Sequence, residues 1–163
     1  MIAAIALVLL AFVLMEPLTA LTHRFVMHRF GMGWHRSHHE APNGALEAND
    51  LFPVVFSIAT IGLLTVGVYV GGGDVLVPLG IGITLYGASY LFVHDLVIHR
   101  RLGRWLPLPH GFLAWHRRAH NVHHLYSRAP FGFLAPVVPR GLSERAERAA
   151  LARTDRSPAA VNR

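Results

Sequence analysis

The chain of 163 residues has no cysteine and no lysine, and only 15% of its residues are charged. Without cysteine there is no disulfide framework, no thiolate zinc site, no iron–sulfur ligation and no C-x-x-C-H haem attachment. Any metal must then be held by imidazole, carboxylate or water, and imidazole suits iron, zinc, copper and nickel alike. A hydrophobic share of 53% and a mean hydropathy of +0.40 exclude a soluble domain of ordinary composition. One domain is the expectation at this length, and the pattern predicts an all-α integral membrane bundle.

Positive charge is missing from one end. The first arginine is Arg24, and twelve of the fifteen fall from Arg100 onward. A net charge of +6 could suit nucleic acid, but no basic stripe interleaved with aromatics and no nucleic-acid motif accompanies it, so no such partner is expected. The asymmetry instead follows the positive-inside rule, with the arginine-rich side cytoplasmic.

Three apolar runs are present, Met1–Leu21, Leu51–Val70 and Val75–Val93. At ~1.5 Å per residue each is long enough to cross a hydrocarbon core of ~30 Å. The first lacks a basic leader and a clear small-residue cleavage site, so it reads as a span and not as a signal peptide. Gly71-Gly72-Gly73-Asp74 joins the other two into a hairpin; it has neither G-x-G-x-x-G nor G-K-[ST] spelling, which argues against a phosphate loop. Gly80, Gly82, Gly87, Ala88 and Ser89 would let a neighbouring helix come close. Three spans place the N-terminus outside and both histidine-bearing segments on one cytoplasmic face, as a His-rich helical cap. Residues 1–140 form the expected membrane domain. Residues 141–163 form a polar tail, with Ser143 as the N-cap of a short surface helix.

Histidine is abundant where other chemistry is scarce. His35-Arg36-Ser37-His38-His39 and His120-Asn121-Val122-His123-His124 repeat one H-x-x-H-H spelling, and each follows an H-x-x-x-x-H pair, His23 with His28 and His94 with His99. A random chain of this composition would show one given three-histidine pattern about 0.06 times, so scattered core or surface histidines are a poor account of two copies. On a regular helix, positions i, i+3 and i+4 share a face, so each triplet is expected to converge on one point. Five residues on such a helix turn by roughly 140°, so His23 and His28 share a face only if the helix ends or distorts between them. Gly31 and Gly33 are expected to weaken or break it.

Ten imidazoles exceed what one ion can use, which implies two. The H-E-x-x-H of zinc proteases is absent. An iron pair with open positions beside a water-poor cavity would suit activation of dioxygen against an unactivated C–H bond, with zinc able to take its place in a crystal. Four carboxylates stand where they could orient ligating imidazoles: Glu16, Glu40, Asp50 and Asp95. Glu16 reads equally as a group near the interface, and Asp95 as a helix-end partner of Arg100 or Arg101. Glu47 and Asn49 make the same segment polar as Glu40 and Asp50 do, and the segment reads either as solvated loop or as a source of groups that orient the ligating imidazoles. His110 and His116 lie outside the motifs; His116, four before His120, is an accessory candidate.

The paired motifs resemble the fatty acid hydroxylase superfamily of membrane di-iron enzymes. More narrowly, Trp34 to Glu40, Ala45 to Leu51, Gly82 to Gly87, His94-Asp95, Ile98 to Arg101, Ala119-His120, His123-His124 and Phe131-Gly132-Phe133 are similar to the bacterial β-carotene 3-hydroxylases, over about Glu16 to Leu134. The resemblance implies that His23, His28, His35, His38, His39, His94, His99, His120, His123 and His124 ligate two irons. It also implies monooxygenation at C-3 of β-ionone rings, from β-carotene through β-cryptoxanthin to zeaxanthin, in a bacterial inner membrane. Dioxygen and a ferredoxin-type donor would be consumed. The chain carries no flavin, nicotinamide or iron–sulfur motif, so the reductant must be external. Departures from the family pattern are a short loop from His124 to Phe131, Leu96 in place of a common Gly, and Ala114-Trp115 in place of a basic pair. Two other readings remain: a di-iron hydroxylase or desaturase of a fatty acyl or sterol substrate, and a membrane metal-binding protein without catalysis.

Overall fold

The computed structural model describes residues 1–40, 46–101 and 110–155. Helix α1 (Ile2–Thr22) runs directly into a π-helical segment, His23–Phe30; α2 (Met32–His39) follows after Gly31. A 3₁₀ turn (Ala48–Asp50) leads into α3 (Leu51–Tyr69), and α4 (Gly73–Tyr90) continues into a second π-helical segment, Leu91–Ile98. Helices α5 (Gly111–Tyr126) and α6 (Arg140–Asp155) complete the described chain. No strand occurs among the described residues.

Three stretches are long and apolar enough to cross a membrane: Ile2–Phe30, Ala48–Tyr69 and Gly73–Ile98. Large apolar side chains stand exposed along them, among them Leu9, Val13, Val54, Ile58, Ile61 and Leu85. Such a surface is stable against lipid and not against water. Helix α4 lies between α1 and α3 and packs along both. It does so through glycine: a Cβ at Gly82 would strike the Val8 carbonyl and the Ala11 side chain of α1, and one at Gly80 would strike Leu64 of α3. The hairpin between α3 and α4 turns at Gly71 and Gly72, both at positive φ, a conformation in which a side chain is strained.

The first and third spans extend past their apolar runs, because the histidine-bearing segments continue the same rods in π form. In a π-helix the backbone closes i→i+5. The His99 N–H donates to the His94 carbonyl at 2.9 Å, and the Gly31 N–H to that of Val26 at 2.8 Å. The distortion anticipated between His23 and His28 is thus a change of helix type, and it occurs in both copies. The break falls at Gly31 (φ −89°, ψ 6°), where Phe52 crosses so closely that a Cβ would lie 2.5 Å from its ring; Gly33 lies inside α2. The expected cap at Ser143 is corrected. Helix α6 begins at Arg140, and the Ser143 N–H already donates to the Pro139 carbonyl at 3.2 Å. The end of the expected tail, residues 156–163, lies outside the described residues.

Candidate metal centre

The two π-segments, α2 and α5 meet at one end of the bundle and bring all ten motif histidines together. The nitrogens of His23, His28, His35 and His123 lie within 4.8 Å of one another, as do those of His38, His99, His120 and His124. His39 joins the first group, its Nε2 3.1 Å from that of His35, and His94 joins the second, its Nε2 3.1 Å from that of His38. The result is two five-histidine cages that abut, with the rings of His39 and His124 4.5 Å apart.

The triplets do not converge as expected. In each H-x-x-H-H the first and last imidazoles stay with the H-x-x-x-x-H pair of their own half, while the middle one crosses. His38 from the first half enters the second cage, and His123 from the second half enters the first. Positions i and i+4 share a face more closely than i+3 does, so a helix lying between two cages can serve both. In the π-segments the i→i+5 register brings His28 beside His23 and His99 beside His94, with ring centroids 5.0 and 4.6 Å apart.

Partners on the outer nitrogens decide what these cages can hold. His23 Nδ1–H donates to the Phe131 carbonyl (3.0 Å), His35 Nδ1–H to Asn49 Oδ1 (2.8 Å) and His123 Nδ1–H to the Arg128 carbonyl (2.6 Å). His94 Nδ1–H donates to Asp95 Oδ1 (2.7 Å) and His38 Nδ1–H to Glu47 Oε2 (3.3 Å). A neutral imidazole with its proton on Nδ1 carries only a lone pair on Nε2. Yet Nε2 of His23 faces Nε2 of His35 at 3.1 Å, and Nε2 of His94 faces Nε2 of His38 at 3.1 Å. Two acceptors cannot bond each other, so each cage calls for a cation between them. Neighbouring nitrogens about 2.1 Å from one ion would stand at about this spacing.

Electrostatics agree. Burial, reinforced by the surrounding imidazoles, holds His99 down to about 2 and His124 to about 3. Burial likewise lowers His123 to about 3 and His35 to about 4, against some opposition from the Arg128 carbonyl and the Asn49 side chain. Neutral imidazole is the form that binds metal.

The fatty acid hydroxylase profile matches residues 8–141, a stretch that includes both cages. The chain belongs to the fatty acid hydroxylase family. Within it, the chain is 41% identical over 140 residues to a β-carotene hydroxylase of Pseudescherichia vulneris, covering 83% of this chain and 78% of that one. It is 40% identical over 134 residues to a β-carotene hydroxylase of Pantoea ananas, covering 77% and 74%. A third β-carotene hydroxylase, of a Paracoccus species (strain PC1), is 40% identical over 142 residues, covering 82% and 86%. No solved structure matches the chain.

The other candidate residues of this fatty acid hydroxylase family member take different places. Asp95 touches a cage histidine directly and also stands 3.6 Å from Arg101, so it makes both of the contacts weighed for it. Asp50 hydrogen-bonds to no histidine among the described residues; it grips the Arg101 guanidinium with both oxygens, at 2.6 and 2.7 Å. Glu40 ends α2 with its side chain exposed. The residues that hold His35 and His38 are instead Asn49 and Glu47, from the same polar segment. Glu16 reaches the loop Phe131–Ala135 and no imidazole. His116 is buried, but its nitrogens face the carbonyls of Phe112 and Leu134 and it lies outside both cages. His110 stands exposed at the start of α5.

A cavity of about 1050 Å³ opens between α1, α3 and α4. Met15, Met27, Phe52, Ile61 and Tyr86 line its length, and Tyr90, Asp95, Arg101 and Phe133 its inner end. Tyr90 stacks on His94 (4.6 Å, 18°), and Phe133 lies parallel to His23 (5.4 Å, 9°). The wall of an apolar chamber is therefore the outer wall of both cages.

Proposed function

We propose that the chain hydroxylates carotenoids at C-3 of the β-ionone ring, carrying β-carotene through β-cryptoxanthin to zeaxanthin. The ten cage histidines would hold two iron ions, five to each. Electrons would come from a ferredoxin-type donor, with the N-terminus outside a bacterial inner membrane and the cages on the cytoplasmic side. The observation that carries this reading is the inward-facing lone pairs of two adjacent cages against one apolar cavity, in a chain similar to β-carotene hydroxylases over most of its length.

When bound, an iron pair supplies the dioxygen activation that an unactivated C–H bond requires. The balance is one dioxygen, two external electrons and two protons per hydroxyl formed, with the second oxygen leaving as water. The protein's own groups do the rest. Asp95, Glu47 and Asn49 fix the ring orientation and tautomer of His94, His38 and His35. Met15, Met27, Phe52 and Ile61 present the surface a hydrocarbon would displace from lipid at little cost. Tyr90 and Phe133 separate that hydrocarbon from the imidazoles and close the cages to water. Leu96 lines the same cavity.

Expression in cells that accumulate β-carotene tests the reading: zeaxanthin and β-cryptoxanthin are expected. Unchanged β-carotene from folded, iron-loaded protein with a working donor overturns it. The family's name favours a second reading, a fatty acyl or sterol substrate at the same centre. Hydroxylated lipid in place of hydroxylated carotenoid would identify it.

A further inference from the structure

Glu16 is the only charged residue of α1. Its side chain turns toward neither lipid nor the histidines. Oε1 accepts from the backbone N–H groups of Phe133 (2.9 Å) and Ala135 (3.0 Å); Oε2 accepts from the N–H of Leu134 (3.0 Å) and the hydroxyl of Tyr86 (2.7 Å). Three successive amides more than 110 residues away in the chain thus converge on one carboxylate, an anion nest closed from within. Four donors offset the cost of placing a charge at membrane depth. The fit is close, since a Cβ at Gly132 would lie 2.5 Å from Glu16 Oε1.

The clamped loop serves the first cage. The Phe131 carbonyl accepts from His23 Nδ1–H, and the Phe131 ring lies 5.4 to 5.5 Å from those of His23, His28 and His123. Phe133 covers His23 face to face at 5.4 Å, whereas it meets the second cage only edge-on, at His94, 5.3 Å away. Released from Glu16, the loop would leave His23 without the acceptor that keeps its proton on Nδ1 and its lone pair inward. The second cage has carboxylates of its own, Asp95 on His94 and Glu47 on His38, within reach of its imidazoles.

We infer that Glu16 is a positioning residue for the first histidine cage, acting on it through the Phe131–Ala135 loop and leaving the second cage largely unaffected. The inference rests on the reading that both cages hold metal. Glu16→Gln keeps the shape but turns one oxygen into an NH₂ that faces donors. Gly132→Ala puts a methyl against the carboxylate and pushes the loop off it while the residues of α1 stay unchanged. Tyr86→Phe removes one donor of four.

The full chain, purified in detergent and loaded anaerobically with iron(II) or with zinc, is assayed for metal per chain and for ligand geometry by X-ray absorption, with helix content as a control. Wild type is expected to hold about two ions per chain. E16Q and G132A are expected to hold about one, with helix content unchanged, and Y86F to stay near wild type. Addition of Asp95→Asn to E16Q should then weaken the remaining ion. Retention of both ions with unchanged absorption spectra in E16Q and G132A overturns the inference. So does loss of both ions together, which would mark a general loss of structure. Wild type that takes up no pair of ions overturns the metal reading of the chain itself, and the role of Glu16 with it.

Discussion

The two cages share a spelling, a helix type and a backbone register, yet they are supported differently. Around the first cage three of the Nδ1 protons go to neutral acceptors: the carbonyls of Phe131 and Arg128 and the side chain of Asn49. Around the second, two go to carboxylates, Asp95 and Glu47. A carboxylate behind an imidazole raises its basicity and adds negative charge near the ion; a carbonyl mainly fixes its direction. On the proposed reading the second cage would therefore be the better cation binder, and the first would depend more on the shape of the loop and turn that hold it. The comparison shows that a duplicated ligand motif does not make two equal sites, because the groups behind the ligands come from unrelated parts of the chain.

The crossing histidines offer the most severe test. His38→Ala removes the one imidazole that the first half lends to the second cage, and His123→Ala does the reverse. Each is expected to empty the cage it enters and to lower hydroxylation by more than about 100-fold, read as metal content and product formation. Loss of metal from the cage of the mutated residue's own half would break the assignment.

Next come the supporting groups. Asp95→Asn is expected to weaken metal binding by about 10- to 100-fold, and Asn49→Ala by less, measured by competition with a chelator. A larger effect at Asn49 than at Asp95 would reverse the ranking of the two cages.

Acidification comes third. Folded His35, His99, His123 and His124 lie at or below about 4, beneath their ordinary value of 6.5. Between these values the unfolded chain binds more protons than the folded one, so the stabilisation present above pH 6.5 is lost as pH falls toward 4. The unfolding temperature of the metal-free protein in detergent should fall over that window, and metal should leave the loaded protein over the same range. A flat profile from pH 7 to pH 4 would contradict the burial of the cages.

Glu40→Ala is the smallest expected effect. The side chain is exposed, and the change should shift stability by less than about 0.5 kcal/mol with hydroxylation unchanged. A large loss of activity would return Glu40 to the centre.

Much of this was legible from residue order. Composition called for a bilayer because so few groups need water, and three apolar runs with a glycine turn set the parity that brings His23–His39 and His94–His124 to one end of the bundle. Repetition of the motif implied more than one ion, and the histidines do fall into two groups. Register was harder to read. Regular-helix geometry predicts three imidazoles at one point and separates His23 from His28; the i→i+5 segments and the crossing of His38 and His123 undo both. Helix type depends on what the backbone packs against, and that is not written in a spacing.

The holders of the ligands divide in the same way. Asp95 is visible beside His94, and the polar run that contains Glu47 and Asn49 advertises itself, but which member of that run meets which ring depends on the turn at Ala48–Asp50. The acceptors at Phe131 and Arg128 are backbone carbonyls, which every residue possesses, so no side-chain pattern could reveal them. By itself the sequence determined the set of ten motif histidines and the three stretches long and apolar enough to cross a membrane, because these follow from chemical type and from local period. Only the tertiary structure decided how ten like nitrogens divide into two groups and that Glu16 grips a loop at the far end of the chain, because both depend on distances between segments that nothing local relates.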